Sequence, residues 1–423
     1  MKFISIKEAI KKKTGKVDIR GWVYRIRKLK DKVFIVVRDS SDIIQCVVEQ
    51  SPEIDKILIE SSLEISGSIH ADKRAPTGYE IKVDKLNVVH YAEKFPIGKD
   101  QNREFLDDNR HLWLRSRKMT AILKIRSTVF GAIHEYFRKN GYYEFQSPIL
   151  IPGGAEEGPT LFEVNYFGKK MFLAQTWQLY AEAAIFALEK IYCIAPSFRA
   201  EKSKTSRHLT EYWHAEVEST WIDLDDLSDI AEGVVKYIVK RVLENNQEEL
   251  KFLGRDIKKL EPSINKKFPR ITYDEAVEIL KKKKIKVTWG KDLRTTEEEK
   301  LMEGFDTPVL VTHYPKDVMA FYKPRDPKNP KVARCFDLLA PEAHGELIGG
   351  SERDTDTEEL KKSLKKLGED LKDYTYYLDT RKYGSVPHAG FGMGVERVVK
   401  WICGLDNIKD AIGFPRTMLR YKP

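Results

Sequence analysis

Val386-Pro-His-Ala-Gly-Phe-Gly-Met-Gly-Val-Glu-Arg-Val-Val-Lys-Trp401 sets glycines at 390, 392 and 394 in front of an apolar run with helical character. Alternating glycines permit a ligand to approach the backbone closely, and Arg397, at the start of the helical run, can face it. Two patches upstream carry compatible chemistry. In the first, Phe198-Arg199-Ala200-Glu201 is followed by a polar loop, by Arg207-His208, and by Glu211-Tyr212. Two arginines and a histidine around a short hairpin offer forked donors to phosphate oxygens, and the neighbouring ring can stack on a base. A surface hairpin with charged flanks would read the same way. In the second, Asp337 and Glu346 precede Gly349-Gly350-Ser351-Glu352-Arg353. Separated carboxylates beside glycines suit Mg²⁺, a hard cation that bridges phosphates, although two carboxylates nine residues apart also arise by chance. No phosphate-binding loop, zinc-protease helix or nucleophile elbow occurs.

Around these patches lie 423 residues with a formal net charge of +9 and 41% hydrophobic content. That allows two or three domains with at least one large core, and it excludes a disulfide-stapled mini-fold. Cys46, Cys193, Cys335 and Cys403 are widely spaced, so they read as reduced core residues rather than a zinc site. The start of the chain lacks the apolar segment of a signal peptide and no run is long enough to span a membrane, so a cytoplasmic protein is expected. Residues 1–38 hold 13 Lys or Arg against Glu8, Asp18 and Asp31, an excess larger than that of the whole chain. Such a stretch is an electrostatic footprint for a polyanion, nucleic acid above all, or else a solvated lysine-rich face.

Residues 17–90 read as five short alternating strands, which suits a small Greek-key barrel of the OB type with a helical insertion at 51–62. In Lys32-Val-Phe-Ile-Val-Val-Arg38, period-2 alternation puts Val33, Ile35 and Val37 on one face and Phe34, Val36 and Arg38 on the other. A ring and a cation could then share an outer surface suited to single-stranded nucleic acid, or Phe34 could simply pack the second face. Polar text with Pro96 and Gly98 follows as a linker. Ile122, Ile125, Val129, Ile133 and Phe137 then recur at helical spacing up to a stop at Asn140-Gly141. A second helix is expected from about Gln178. Residues 225–330 read as charged helices without a chemical motif.

In this order and spacing the patches resemble the three motifs of the class II aminoacyl-tRNA synthetases. The helix ending at Asn140 with Pro148 looks like motif 1, Phe198-Arg199-x-Glu201 with Arg207-His208 like motif 2, and Gly392-x-Gly394-x-Glu396-Arg397 like motif 3. The barrel, with Gly21-Trp22-Val23, Arg38-Asp39-Ser40 and Ile44-Gln45, is similar to the anticodon-binding domain of the subclass containing the Asp, Asn and Lys enzymes. Within that subclass, Pro196 to Ser203, Arg207 to His214 and Arg381 to His388 look most like the archaeal and eukaryotic asparaginyl type. The resemblance implies an α+β chain. A five-stranded OB barrel (1–92) and a linker (93–114) would precede a catalytic domain (115–423) with a six-stranded antiparallel sheet flanked by helices. The motif 1 helix and strand would build a homodimer.

The implied activity is ligation of L-asparagine to tRNA(Asn) through an adenylate, with ATP as substrate and Mg²⁺ as cofactor. By resemblance Arg199 and Arg397 are the catalytic pair. Arg199 would meet the α-phosphate, Glu201 the adenine edge and Arg207 and His208 the β- and γ-phosphates. Tyr212 and Arg397 would sandwich the adenine, with Leu209, Gly394, Val395 and Glu396 completing the nucleotide site. Asp337 and Glu346 would carry the metal. Glu156, Gln178, Arg199, Glu216, Gly349 and Arg353 would hold the amino acid, Glu216 accepting from its amide nitrogen and Arg353 donating to its amide oxygen. Arg25, Arg27, Phe34 and Gln45 would meet the anticodon. Ala181 stands where the aspartyl relatives carry a lysine for the substrate carboxylate, which disfavours an aspartyl enzyme. His388 reads as a structural hydrogen bonder, and Trp177 departs from the pattern with no role assigned. The alternatives are a non-discriminating aspartyl enzyme, a paralogue that activates a free amino acid, and an RNA-binding protein without the ATP chemistry.

Overall fold

Alternation in the first hundred residues closes on itself. β1 (Gly15–Lys28), β2 (Lys32–Arg38), β3 (Ile43–Glu49), β4 (Ser62–Ala71) and β5 (Tyr79–His90) form a closed barrel in the order β1-β2-β3-β5-β4. In β1 every second residue from Val17 to Val23 is buried, and β4 repeats the pattern from Leu63 to Ile69. These side chains meet Val33, Ile35, Val37, Ile44 and Cys46 in one core, which the helix Ile6–Lys12 covers with Ile6 and Ala9. A four-residue helix, Pro52–Asp55, occupies the expected insertion. The computed structural model describes residues 2–154, 161–201 and 207–422, and the chain divides into two units, 1–107 and 108–423.

The second unit is a sheet with helices packed on it. Its strands are β6 (Tyr143–Glu144), β10 (Lys190–Phe198), β11 (Glu211–Thr220), β12 (Arg270–Thr272), β13 (Val309–Thr312), β14 (Cys335–Ala340), β15 (Gly345–Glu352) and β16 (His388–Gly394), in the order β12-β13-β14-β15-β16-β11-β10-β6. β7 (Leu150–Ile151), β8 (Glu163–Tyr166) and β9 (Lys169–Leu173) make a small separate sheet. The expectation of six antiparallel strands describes the centre, from β13 to β10. At each edge a further strand, β12 or β6, pairs in parallel, so the whole is a mixed eight-stranded sheet. These edge strands are three and two residues long, too short for any periodic signal.

Four helices bear on the functional residues. α1 (Arg117–Lys139) buries Ile122, Ile125, Val129, Ile133 and Phe137, the stripe read from spacing, and ends where Gly141 takes a positive φ. α2 (Gln178–Leu188) packs on β10 and β11. α3 (Thr295–Met302) comes from the region without a motif, and α4 (Val395–Cys403) continues directly from β16. Within the stretch read as a linker, residues 103–108 and 110–113 are helical. Arg110 is fully buried there, donating to the carbonyls of Lys409, Ile412 and Gly413. Those acceptors lie some 300 residues away, so nothing local announces its burial. All four cysteines are free and buried, and no described helix is long and apolar enough to cross a membrane.

The alternating glycines have a structural cause. Gly390 and Gly392 pair with Glu218 and Glu216 of β11. A Cβ on Gly390 would fall 2.1 Å from Glu218 Oε2 and 2.4 Å from the Val217 carbonyl, and one on Gly392 would fall 2.3 Å from His214 Nε2. The bare backbone of β16 is the space into which charged side chains of β11 fold. Gly390→Ala is therefore expected to destabilise the second unit by about 1–3 kcal/mol, read as a lowered midpoint in thermal unfolding, because the Val217 carbonyl cannot rotate away as a side chain could.

Candidate active site

The β10–β11 hairpin presents the first patch. Arg199 fixes its backbone by donating its N–H to the Thr210 carbonyl, and its guanidinium lies 5.9 Å from the Tyr212 ring centre. Glu201 sits 3.9 Å from Arg199 and 3.8 Å from His208. Burial lowers the pKa of His208. Tyr212 packs with Leu209, Ile408 and Ile412. Across the cleft, Arg397 donates to the Glu346 backbone carbonyl at 3.1 Å and to its carboxylate at 2.7 Å. Arg199, Glu201, Arg207, His208, Leu209, Tyr212, Glu346, Gly394, Glu396 and Arg397 thus line one cleft.

Val395 is fully buried at the start of α4 and does not line the cleft. The Glu396 side chain turns away into the core, accepting the Trp213 N–H at 3.0 Å and pairing with Arg126 at 2.7 Å. Arg207 is held by two residues that sequence reading missed. It pairs with Glu298 at 3.3 Å and Glu299 at 2.8 Å, both on α3, and donates to the Ala343 carbonyl. Burial, with Glu346 nearby, pushes the Glu298 carboxyl up to about 7. A carboxylate pair far in sequence from any motif, on a short helix with three consecutive glutamates, carries no local sign of this task.

Asp337 and Glu346 both lean over Gly349. A Cβ there would lie 2.9 Å from Glu346 Oε1 and 3.4 Å from Asp337 Oδ1, so two carboxylate oxygens border a space of atomic size. Burial and the neighbouring Glu346 raise the Asp337 pKa well above its ordinary value. Burial would also raise Glu346, but Arg397 outweighs it and keeps that carboxyl low. A divalent cation would relieve the repulsion between them, so the donor set fits one.

Deeper in, Glu216 is clasped by Thr176, whose hydroxyl donates to Oε1, and by the Trp177 N–H at 3.0 Å from Oε2. His214 approaches to 3.5 Å. Burial exceeds the pull of those donors and pushes the Glu216 carboxyl up to about 7. Arg353, expected to donate to the amide oxygen of a ligand, is forked onto Glu218, with Nε and Nη2 donating at 2.8 Å each, while Nη1 donates to Ser351. Gln178 donates to Glu182, which pairs with Arg381 and lies 3.1 Å from His388 Nε2, where the carboxylate can only accept. His388 also contacts the Val386 carbonyl, in keeping with the structural reading.

Glu182, Glu218 and His388 each bring a ligand atom within 4.8 Å of the others, the one such group among the described residues. The guanidiniums of Arg353 and Arg381 already supply the cationic partners, so the cluster is an ion-pair network. Ala181 packs among Trp177, Ile185, Ile191 and Cys193, and Cys193 is the cross-strand partner of Glu216. Trp177 anchors that cluster by donating its indole N–H to the Phe145 carbonyl. Glu156 lies outside the described residues.

On the barrel, β1 changes parity at a bulge between Val23 and Arg25, which sets Trp22, Arg25 and Arg27 on the same outer face. Arg27 stacks over Phe34 at 4.9 Å from its ring centre, and Phe34 is half-buried outside the core. Gln45 pairs with Val36 across β3 and donates to Glu80 at 2.8 Å. Arg25, Arg27, Phe34 and Gln45 therefore share one face of β1, β2 and β3.

The chain and its fold are similar to known proteins. Residues 102–418 match the family described as tRNA synthetases class II (D, K and N), and residues 17–89 match the OB-fold nucleic acid binding domain. The chain is 49% identical to the asparagine–tRNA ligase of Thermoplasma acidophilum over 416 residues, 97% of each chain. It is similar at 44% identity and a TM-score of 0.96, over the whole of both chains, to asparaginyl-tRNA synthetase from Pyrococcus horikoshii complexed with asparaginyl-adenylate. Aspartyl tRNA synthetase from Entamoeba histolytica is similar at 26% identity and a TM-score of 0.86, covering all of this chain and 93% of that one.

The raised Glu216 carboxyl gives a pH test. The unfolded chain releases this proton near 4.5 and the folded chain near 7, so between those values the folded state binds more protons and stability falls as pH rises. Above about 7 the loss is complete, on the order of 3 kcal/mol. Urea unfolding at pH 5 and pH 8 is expected to show a larger drop for the wild type than for Glu216→Gln. Equal drops would place the titration elsewhere.

Proposed function

The chain belongs to the class II tRNA synthetases of the D, K and N group, and on that premise we propose that it ligates L-asparagine to tRNA(Asn) through an asparaginyl-adenylate. The near-full-length likeness to asparagine–tRNA ligases carries this reading, and the geometry of the cleft supports it. In the first step the amino acid's carboxylate attacks the α-phosphate of ATP in line and pyrophosphate departs. In the second the terminal adenosine hydroxyl of the tRNA attacks the acyl carbon of the adenylate, forming the ester as the acyl–phosphate bond breaks, with AMP leaving and the hydroxyl proton released. A carboxylate is already ionised at neutral pH, so no side chain has to activate it, and catalysis comes from positioning and charge stabilisation.

Arg199 meets the charge that builds on the α-phosphate, with Glu201 on the adenine edge. Tyr212 and Arg397, which line the same cleft, close on the adenine from two sides. Arg207 and His208 take the β- and γ-phosphates, and the clamp of Glu298 and Glu299 on Arg207 fixes its fork before ATP arrives. Asp337 and Glu346 would hold Mg²⁺, which would supply neutralisation of phosphate charge. Glu216 accepts from the amide nitrogen of asparagine, Arg353 donates to the amide oxygen, and Gln178, Gly349 and Glu156 frame the rest of the amino acid. Arg25, Arg27, Phe34 and Gln45 receive the anticodon, where an unstacked base can lie on a ring. The active form is a homodimer built through α1 and the strand after it, and it works in the cytoplasm.

The deciding experiment is amino-acid-dependent ATP–pyrophosphate exchange with asparagine and aspartate side by side. Exchange with asparagine alone is expected. Equal exchange with aspartate would overturn the substrate assignment. Arg199→Ala is expected to lower kcat by ~10²-fold or more with the fold intact, because its contact strengthens as the transition state forms. Phe34→Ala is expected to spare exchange while weakening tRNA charging, since one stacked base contributes ~1–3 kcal/mol. A charging assay unchanged by Phe34→Ala would remove the barrel face from anticodon recognition.

A further inference from the structure

The pocket beyond Arg199 contains more charge than the two reaction steps use. Arg353 and Arg381 are both more than nine-tenths buried, and each is paired with a buried carboxylate. Glu218 takes Arg353 in a two-pronged pair. Glu182, fully buried on α2, takes Arg381 through Oε2 and stands 3.8 Å from Arg353 Nε through Oε1. Arg381 is further held by the Asp354 carbonyl and by Thr380 and Tyr377. Arg353, Arg381 and His388, the last 3.1 Å from Glu182, face the two carboxylates, and Glu216 adds a third acidic group on the same strand as Glu218. A side chain entering this pocket finds hydrogen-bond donors on Arg353 but no surplus of positive charge.

That balance separates asparagine from aspartate. A neutral amide oxygen needs one or two N–H donors, whereas a carboxylate brought out of water needs a compensating cation. We propose that Glu182 is a specificity-determining residue of the amino-acid pocket: by cancelling guanidinium charge behind Arg353, it withholds the net positive charge that an aspartate side chain requires. Glu182 does not touch the substrate. It acts through Arg353 and Arg381 and is a positioning residue, linked to the pocket also by the hydrogen bond that Gln178 donates to it. The inference rests on the asparagine reading and adds a determinant remote from the amide contacts of Glu216. Its size follows from Coulomb's law, since one charge at ~7 Å through an effective dielectric of ~20 changes an equilibrium by roughly 50-fold.

The test is charge bookkeeping by mutation, with pyrophosphate exchange giving kcat/KM for each amino acid in the full-length protein. Glu182→Gln is expected to lower the asparagine-to-aspartate ratio by about 30-fold or more, mainly through a gain with aspartate. Adding Arg381→Met restores the balance and is expected to return the ratio to within a few-fold of wild type. A residue needed only for packing would lower both amino acids together, leaving the ratio where it was, and the second substitution would not restore it. That outcome overturns the proposal. Should Glu182→Gln alone fail to fold, Arg381→Met is compared with the double variant: at a constant Met at 381, the presence of Glu182 should raise the ratio by about the same 30-fold, and equal ratios overturn the proposal. If the wild type does not use asparagine, the reading of the function fails. If the wild type is selective and the variants keep its ratio, only the role of Glu182 fails.

Discussion

Burying charge is the constraint on which the second unit depends. Its cleft and pocket gather Arg199, Arg207, Arg353, Arg381 and Arg397 with Glu182, Glu216, Glu218, Glu298, Asp337 and Glu346, and several of these are almost wholly removed from water. An ionised group in such a place survives only with a partner of opposite charge and hydrogen bonds to the remaining polar atoms. The sheet answers with forks and clasps: Arg353 on Glu218, Arg381 on Glu182, Arg397 on Glu346, Arg207 on α3. Glycines make these arrangements possible, because Gly349, Gly390 and Gly392 leave backbone bare where neighbouring side chains must fold over it.

The pairing also divides the site by function. Around the first cleft Arg207 is held by Glu298 and Glu299 and Arg397 by Glu346, so these guanidiniums are fixed in place by the fold itself. Around Glu182 and Glu218 the pairing is closed, since Arg353 and Arg381 each meet a buried carboxylate. Asp337 is the exception in the first region. Its pKa is raised because it is buried with a like charge beside it, a position where a bound cation would relieve the repulsion.

The barrel works by another principle. Its core is apolar and regular, and its chemistry lies on an outer face where Arg27 over Phe34 and Arg38 over Trp22 set rings and cations side by side. Sequence-tolerant stacking and a basic surface suit a polyanion that must be opened and read base by base. The bulge after Val23 is what aligns Trp22 with Arg25 and Arg27, since strict alternation would have put them on opposite faces.

Reading the residues in order was enough for whatever is encoded locally. Alternation in β1 to β5 specified the barrel, the stripe from Ile122 to Phe137 specified α1, and motif spacing brought Arg199, Arg207, His208, Tyr212 and Arg397 to one cleft. What remained hidden depends on partners distant in sequence. Glu298 meets Arg207 across 91 positions and Glu182 meets Arg381 across 199, and no periodicity links them. Nor does a sequence tell that Arg353 forks onto Glu218, that Glu396 turns inward to Arg126, or that Arg110 is interior. The identity of an amino acid fixes its charge and reach, but whether that charge serves the fold or is left for a ligand is settled only when the sheet assembles and water leaves, because then each buried ion must find its counter-ion among residues the chain has brought from elsewhere.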